Sequence, residues 1–284
     1  MKLLRYGPPG VEHPAILDSG GRMRALGSVV ADISGPALTP EGLATIAAVN
    51  LDDLPVVEDL PRIGPCVGNV GKLIGIGFNY SDHNPEMGHE LPKEPTLFMK
   101  ATSAICGPFD DVLMPSDSEK LDWEVELGAV IGTAGRDIAP EKALGHVAGY
   151  CVVNDVSERD YQFARGGQFV KGKSCDTFAP IGPWLVTRDE IPDPQDLALR
   201  LDVDGETRQD SDTRNMIFGV AALVAYVSRF MSLQPGDIIT TGTPAGVGYA
   251  MKPPKFLAEG NVMTLSVAGL GEQRQKVVRR GGRR

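Results

Sequence analysis

The chain has 284 residues, 42% hydrophobic and 23% charged, with a formal net charge of −9. That length suits one large domain or a main domain with a small companion, and the acidic balance argues against nucleic acid as the main partner. No apolar run approaches the roughly 20 residues of a membrane span, and Met1 to Gly10 hold too short an apolar stretch for a signal peptide. Cys66, Cys106, Cys151 and Cys175 show no CxxC pair and no zinc spacing, so a reduced cytoplasm is the expected home.

Residues 1–66 read as a small β-rich module. Strand-like pieces at Lys2–Tyr6, Pro14–Asp18 and Met23–Leu26 are separated by Gly and Pro turns. A helix is expected near Pro40–Val49, capped by Thr39 with Pro40 at its first position. Pro55 to Pro65 reads as a linker, and His13 as a surface residue. From Lys72 the pattern changes to strands that end in polar clusters. Leu73–Phe78 is a short buried strand whose glycines do not complete a dinucleotide fingerprint. It delivers Asn79, Tyr80, His83 and Glu86 into a Pro/Gly-rich loop, Asn84 to Pro95. His83 and Glu86 are three apart, so one helical turn would set them side by side. A carboxylate beside an imidazole orients it and raises its basicity, as a water-activating base requires. The same spacing fits two exposed polar residues on a mobile loop, or a loop that closes over an active site.

Leu97–Lys100 is a further strand. The stretch from Leu121 to Gly132 then carries Asp122, Glu124 and Glu126 on one face of a strand and Trp123, Val125 and Leu127 on the other. Same-face neighbours lie roughly 7 Å apart, near enough for two carboxylates to share a cation. A solvated strand face fits that spacing equally well. Asp155, however, closes another apolar run, Val147 to Asn154, and an acid at that position is unusual. Glu124, Glu126 and Asp155 together make an all-oxygen set suited to Mg²⁺, Ca²⁺ or Mn²⁺ rather than zinc. Pro140–Leu144 reads as a short helix ending near His146, and Val156–Phe163 has helical content that brings Arg159 and Gln162 beside the acids. Lys173, in the loop that follows, would neutralise the acids or hold a substrate carboxylate, or else sit on the surface.

Ile181–Val186 and Ala198–Val203 read as strands, with Asp204-Gly205 as a hairpin signal. Ser211 or Asp212 is expected to cap a helix with Ile217, Val220, Leu223, Val224, Val227 and Phe230 on its apolar side. After the strand Ile238–Thr240, the loop Thr241–Gly248 lacks a P-loop lysine, yet its amides and the Thr243 hydroxyl are placed to hold an oxyanion. Arg274–Arg284 reads as a basic, solvated tail.

The motifs GFNYSDHNPEMG, PTLFMK, DWEVELGAVIG, GYCVVNDVSERD, GKSCDTFAPIGPW and PGDIITTGTPAGVG, in this order over roughly residues 70 to 265, resemble the fumarylacetoacetate hydrolase family. The nearest resemblance is to hydrolases of 2,4-diketo-3-deoxy sugar acids such as 2,4-diketo-3-deoxy-L-fuconate. The resemblance implies a mixed β-sandwich roll with short helices (α+β), a small N-terminal domain (1–66) before a catalytic domain (67–284), and a homodimer. It makes Glu124, Glu126 and Asp155 ligands of Mg²⁺ or Mn²⁺, His83 and Glu86 a water-activating dyad on a lid, and Lys173 a basic group near the metal. Tyr80, Arg159, Gln162 and Thr243 would bind substrate. Cys175 stands where many members have Phe in K-S-F-D, leaving Lys173 in register, and Asn84-Pro85 between the dyad residues is compatible with a first helical turn. The implied activity is metal-dependent hydrolysis of a C–C bond in a small anionic diketo acid. An oxo-acid decarboxylase or an enol–keto isomerase of aromatic-degradation intermediates would share the metal site but need no activated water. A non-catalytic metal- or sugar-acid-binding protein is the reading from a different class.

Overall fold

The structure, a computed structural model, describes residues 1–59, 61–83, 86 and 90–280. The expected loop at Asn84–Pro95 therefore lies partly outside the described residues, as do Asn84-Pro85 and the last four residues of the tail. The strands in chain order are β1 (Lys2–Tyr6), β2 (His13–Leu17), β3 (Met23–Ala25), β4 (Leu73–Gly77), β5 (Thr96–Lys100), β6 (Ile105–Cys106), β7 (Val112–Met114), β8 (Leu121–Asp122) and β9 (Val125–Ile131). They continue with β10 (Val147–Asn154), β11 (Ser157–Glu158), β12 (Ala179–Thr187), β13 (Ala198–Val203), β14 (Glu206–Asp212), β15 (Ile238–Thr240), β16 (Val262–Val267) and β17 (Gly271–Arg279). Helices are few and short, so the expected mixed-β class holds.

The large sheet runs β3-β2-β1-β12-β10-β9-β15-β4-β5, with β6 added beside β12. A second sheet, β14-β13-β16-β17-β7, packs across it, β13 and β16 over β9 and β17 over β12. Every residue of β9 and β10 is buried, because both faces of these central strands are covered. The N-terminal strands join this sheet directly: β1 pairs with β12 at Lys2–Val186 and Leu3–Leu185. Leu3, Ile16 and Leu26 belong to the same apolar core as Leu73 and Val125. The expected helix runs Pro40–Ala47, and the Thr39 hydroxyl accepts from the Gly42 amide at 3.2 Å.

Two expectations are corrected. The stretch read as a solvated tail is β17 as far as Arg279, paired with β16 and β7. Its inward residues Gln273, Gln275 and Val277 are buried while Glu272, Arg274 and Lys276 point out. Gln273 Nε2 donates to the carbonyls of Val152 (2.8 Å), Gly182 (3.0 Å) and Pro180 (3.3 Å). These glutamines satisfy carbonyls that the sheet ladder leaves free, which is why polar residues stand at core positions. Gln273→Leu is expected to cost about 1–3 kcal/mol in urea unfolding while leaving metal content unchanged.

The second correction concerns the helix expected to start at Ser211 or Asp212. Those residues end β14, Asp212 caps only a short 3₁₀ turn, Thr213–Asn215, and the helix is Val220–Ser228 with Gly219 at its N-cap. Phe230 lies past the helix end and is exposed.

Candidate active site

The acid stretch is not one continuous strand. β8 ends at Asp122 and β9 begins at Val125, and the amides between them are taken by side chains. Asp122 Oδ1 accepts from Trp123 N (2.9 Å), Asn154 Oδ1 from Glu124 N (3.3 Å) and Gln209 Oε1 from Val125 N (2.9 Å). Side-chain oxygens thus replace ladder partners and let the backbone turn inside the core. The alternation survives the break: Asp122, Glu124 and Glu126 face the site, while Trp123, Val125 and Leu127 pack into the core.

All of these acids are buried, so the solvated-face alternative is excluded. Glu124, Glu126 and Asp155 bring one carboxylate oxygen each to within 4.8 Å of one another. Lys173 Nζ bridges Glu124 and Asp155 at 2.7 Å each, and Arg159 reaches Glu124 at 2.7 Å and Asp122 at 2.8 Å. Burial opposes charge on Glu124, but Lys173 and then Arg159 outweigh it and lower its pKa to about 2. Glu126 differs. Burial raises its pKa well above the usual carboxylate range, reinforced by the charges of Asp155 and Glu124. Gly242 N donates to it at 2.9 Å, and among the described residues no Lys or Arg forms an ion pair with it. A buried carboxylate without its own counter-charge, facing two more, fits a hard divalent cation with oxygen ligands.

Sequence reading missed Lys100. It closes β5, is fully buried, and donates to Asp155 Oδ1 and to Val156 O at 3.2 Å. Burial lowers its pKa, opposed by the Asp155 charge. The signal was available, since a charged residue closing an apolar strand is what singled out Asp155.

His83 Nδ1 lies 2.7 Å from Glu86 Oε1, as the spacing predicted. A carboxylate only accepts, so Nδ1 carries the proton and Nε2 is the basic nitrogen. Glu86 is held in turn by the Gly246 amide, 3.0 and 3.1 Å from its two oxygens. His83, Glu124, Glu126, Arg159, Gln162, Lys173 and Thr243 line one cavity, partly open to solvent. Tyr80 is not part of its lining, and its ring belongs to the core.

Thr243 is brought to the site and lines the cavity. Its hydroxyl donates to Val125 O (2.9 Å) and accepts from Gln209 Nε2 (2.8 Å), so its single proton is committed. The loop amides likewise hold the protein's own carboxylates: Gly242 binds Glu126, Gly246 binds Glu86, and Gly248 and Tyr249 bind Asp122 at 2.8 and 3.0 Å. The loop is a scaffold for acids. Gln162 does face the cavity with donor capacity, because its Oε1 accepts from Arg159 Nη1 (3.0 Å) and its amide nitrogen remains to donate.

Gly246 tests that scaffold. It has φ +104, and a Cβ there would stand 1.9 Å from Arg208 O, while its carbonyl accepts from Trp123 Nε1 at 3.1 Å. Gly246→Ala is expected to move the amide that holds Glu86. Activity should drop by up to about 10²-fold with the metal retained, as read by turnover and elemental analysis.

The comparisons agree with this architecture. The family model described as fumarylacetoacetate (FAA) hydrolase C-terminal matches residues 72–278, and the chain belongs to that family. A Burkholderia cenocepacia protein with a provisional hydrolase name is 59% identical, over 97% of this chain and 98% of its own. The solved fumarylacetoacetate hydrolase of Exiguobacterium antarcticum superposes with a TM-score of 0.88 at 39% identity, covering 99% of this chain and 100% of that one. A Mycobacterium smegmatis 5-carboxymethyl-2-hydroxymuconate delta-isomerase gives a TM-score of 0.78 at 31% identity, covering 99% and 100%. Maleylpyruvate hydrolase from Sphingobium sp. SYK-6, solved with manganese(II) and pyruvate, gives 0.80 at 27% identity, covering 98% and 99%. The chain is therefore an enzyme of a family that holds both hydrolases and isomerases, with a buried acidic triad suited to a divalent metal.

Proposed function

We propose that the enzyme hydrolyses the C–C bond of a 2,4-diketo acid, an acylpyruvate or a 2,4-diketo-3-deoxy sugar acid. The observation that carries this reading is the His83–Glu86 pair, 2.7 Å apart, with His83 lining the same cavity as Glu124 and Glu126 of the acidic triad. A hydrolase requires a base that activates water, and a decarboxylase does not. Glu124, Glu126 and Asp155 would hold Mg²⁺ or Mn²⁺, which supplies Lewis-acid polarisation of the substrate's oxo-acid end.

Every reacting group falls within residues 67–284, with residues 1–66 in a supporting role. His83 Nε2 takes a proton from water while Glu86 stabilises the imidazolium that forms. The hydroxide equivalent adds to the distal carbonyl, and the bond from that carbon to the methylene breaks with its electron pair going to the methylene, which takes up the proton that His83 removed from water. The products are a carboxylic acid that carries the water oxygen, and pyruvate or its hydroxylated analogue. Gln162 donates to a substrate oxygen, and Arg159, fixed by Asp122, holds Gln162 in place. Lys173 balances the charge of the substrate carboxylate.

The test is an assay of purified protein with Mg²⁺ or Mn²⁺ against acylpyruvates and diketo sugar acids. Metal-dependent release of pyruvate, or of its hydroxylated analogue, together with one equivalent of acid is expected. Carbon dioxide or a tautomer as the only product would refute the reading.

A further inference from the structure

The cavity has two unlike halves. Lys173 and Arg159 are on its floor, committed to Glu124, Asp155 and Asp122, and Lys100 is buried against Asp155 outside the lining. The wall that rises from this floor is aromatic. Phe98 lies under Lys173 Nζ, 5.2 Å from its ring centroid. Phe169 packs against Phe98 (5.6 Å), Phe78 (6.3 Å) and Phe163 (5.8 Å), and Phe163 continues to Tyr249 (5.3 Å), which is exposed at the mouth. The four phenylalanines are each only half-buried, and they line the cavity together.

Two backbone features show that this wall is built rather than incidental. Phe78 has φ +58, a left-handed conformation that bulky side chains rarely adopt, and its ring stacks beside His83 at 6.4 Å. A Cβ on Gly75 would stand 2.2 Å from the Phe98 ring, so the glycine makes room for that ring. Of the two cations among the described residues lining the cavity, Lys173 stands over the Phe98 end of this wall but is held by Glu124 and Asp155, and Arg159 is held by Asp122 and Glu124. Arg165, nearby in sequence, is paired with Asp117 and Asp160.

We propose that the site selects acylpyruvates whose acyl group is apolar, an aromatic ring or a plain alkyl chain, over those ending in a carboxylate or carrying hydroxyls. This rests on the diketo-acid reading above and narrows it. With the oxo-acid end on the charged floor, the acyl group projects along the phenylalanine wall. An apolar group there replaces water on half-exposed rings. A second carboxylate would lose hydration without gaining a counter-charge that is not already paired, and hydroxyls would lose hydrogen bonds to water.

The experiment ranks kcat/KM of the Mn²⁺-loaded enzyme for acetyl-, butanoyl- and benzoylpyruvate, for maleylpyruvate and for a hydroxylated 2,4-diketo acid. About fourfold is expected per added methylene, and benzoylpyruvate should be preferred over acetylpyruvate by more than about tenfold. Maleylpyruvate and the hydroxylated acid should fall roughly 10- to 100-fold below butanoylpyruvate. Phe169→Ala and Phe163→Ala should each shrink the benzoyl-to-acetyl ratio, with metal content reporting an intact floor. A preference for maleylpyruvate or the hydroxylated acid, with hydrolysis intact, would overturn this inference and leave the diketo-acid hydrolase standing. If none of the acids is hydrolysed, that reading falls. Calorimetric binding of the same acids to the Mn²⁺-loaded protein then decides the inference by its rank order.

Discussion

Glu126→Gln is expected to lower metal affinity by more than about 100-fold and to remove hydrolysis with it. The substitution keeps side-chain volume and removes one charge. Of the three acids, Glu126 is the one with no ion-pair partner among the described residues, so its charge has the most to gain from a cation. The metal-free variant should be at least as stable as metal-free wild type, because a buried, uncompensated carboxylate has been replaced by a neutral amide. Wild type should instead gain about 2.7 kcal/mol when the metal is present at 100 times its dissociation constant, a gain that the variant loses. Elemental analysis and unfolding with and without metal check both halves. Full metal retention by Glu126→Gln would remove the triad from the account.

His83→Ala carries the second large effect, a fall of about 10²- to 10⁴-fold in hydrolysis. Metal content should be unchanged, because among the described residues His83 makes no hydrogen bond to Glu124, Glu126 or Asp155 and its carboxylate partner is Glu86. Substrate binding should change little, placing the loss in kcat rather than KM. Any decarboxylation of the same ligand should suffer less, since it consumes no attacking water and needs no base. Wild-type hydrolysis by His83→Ala would end the dyad assignment.

Much of the site was legible because its signals are local. The alternation of Asp122, Glu124 and Glu126, an acid closing a buried strand, and a His–Glu pair three apart each follow from backbone geometry. What escaped depended on partners distant in sequence. The break at Trp123-Glu124 is enforced by Asn154 and Gln209, which lie 30 and 84 positions from the amides they bind. Thr243 offered a hydroxyl at the right place, yet Val125 O takes its one proton and Gln209 donates to its oxygen. β17 was hidden because its inward residues Gln273 and Gln275 are polar, so a period-two pattern read as a uniformly polar tail. The phenylalanine wall is assembled from β5, the residue after β4, and segments around the short helices Arg159–Phe163 and Val170–Lys173. No single stretch of sequence displays it.

The central claim is that water, activated at His83, enters the acyl product. Turnover of an acylpyruvate in H₂¹⁸O, with the acid product analysed by mass spectrometry, tests it most directly. One ¹⁸O is expected in the released carboxylic acid, formed in equal amount with pyruvate and lost in parallel in His83→Ala. Consumption of the substrate with no labelled acid, only carbon dioxide or a tautomer, would contradict it.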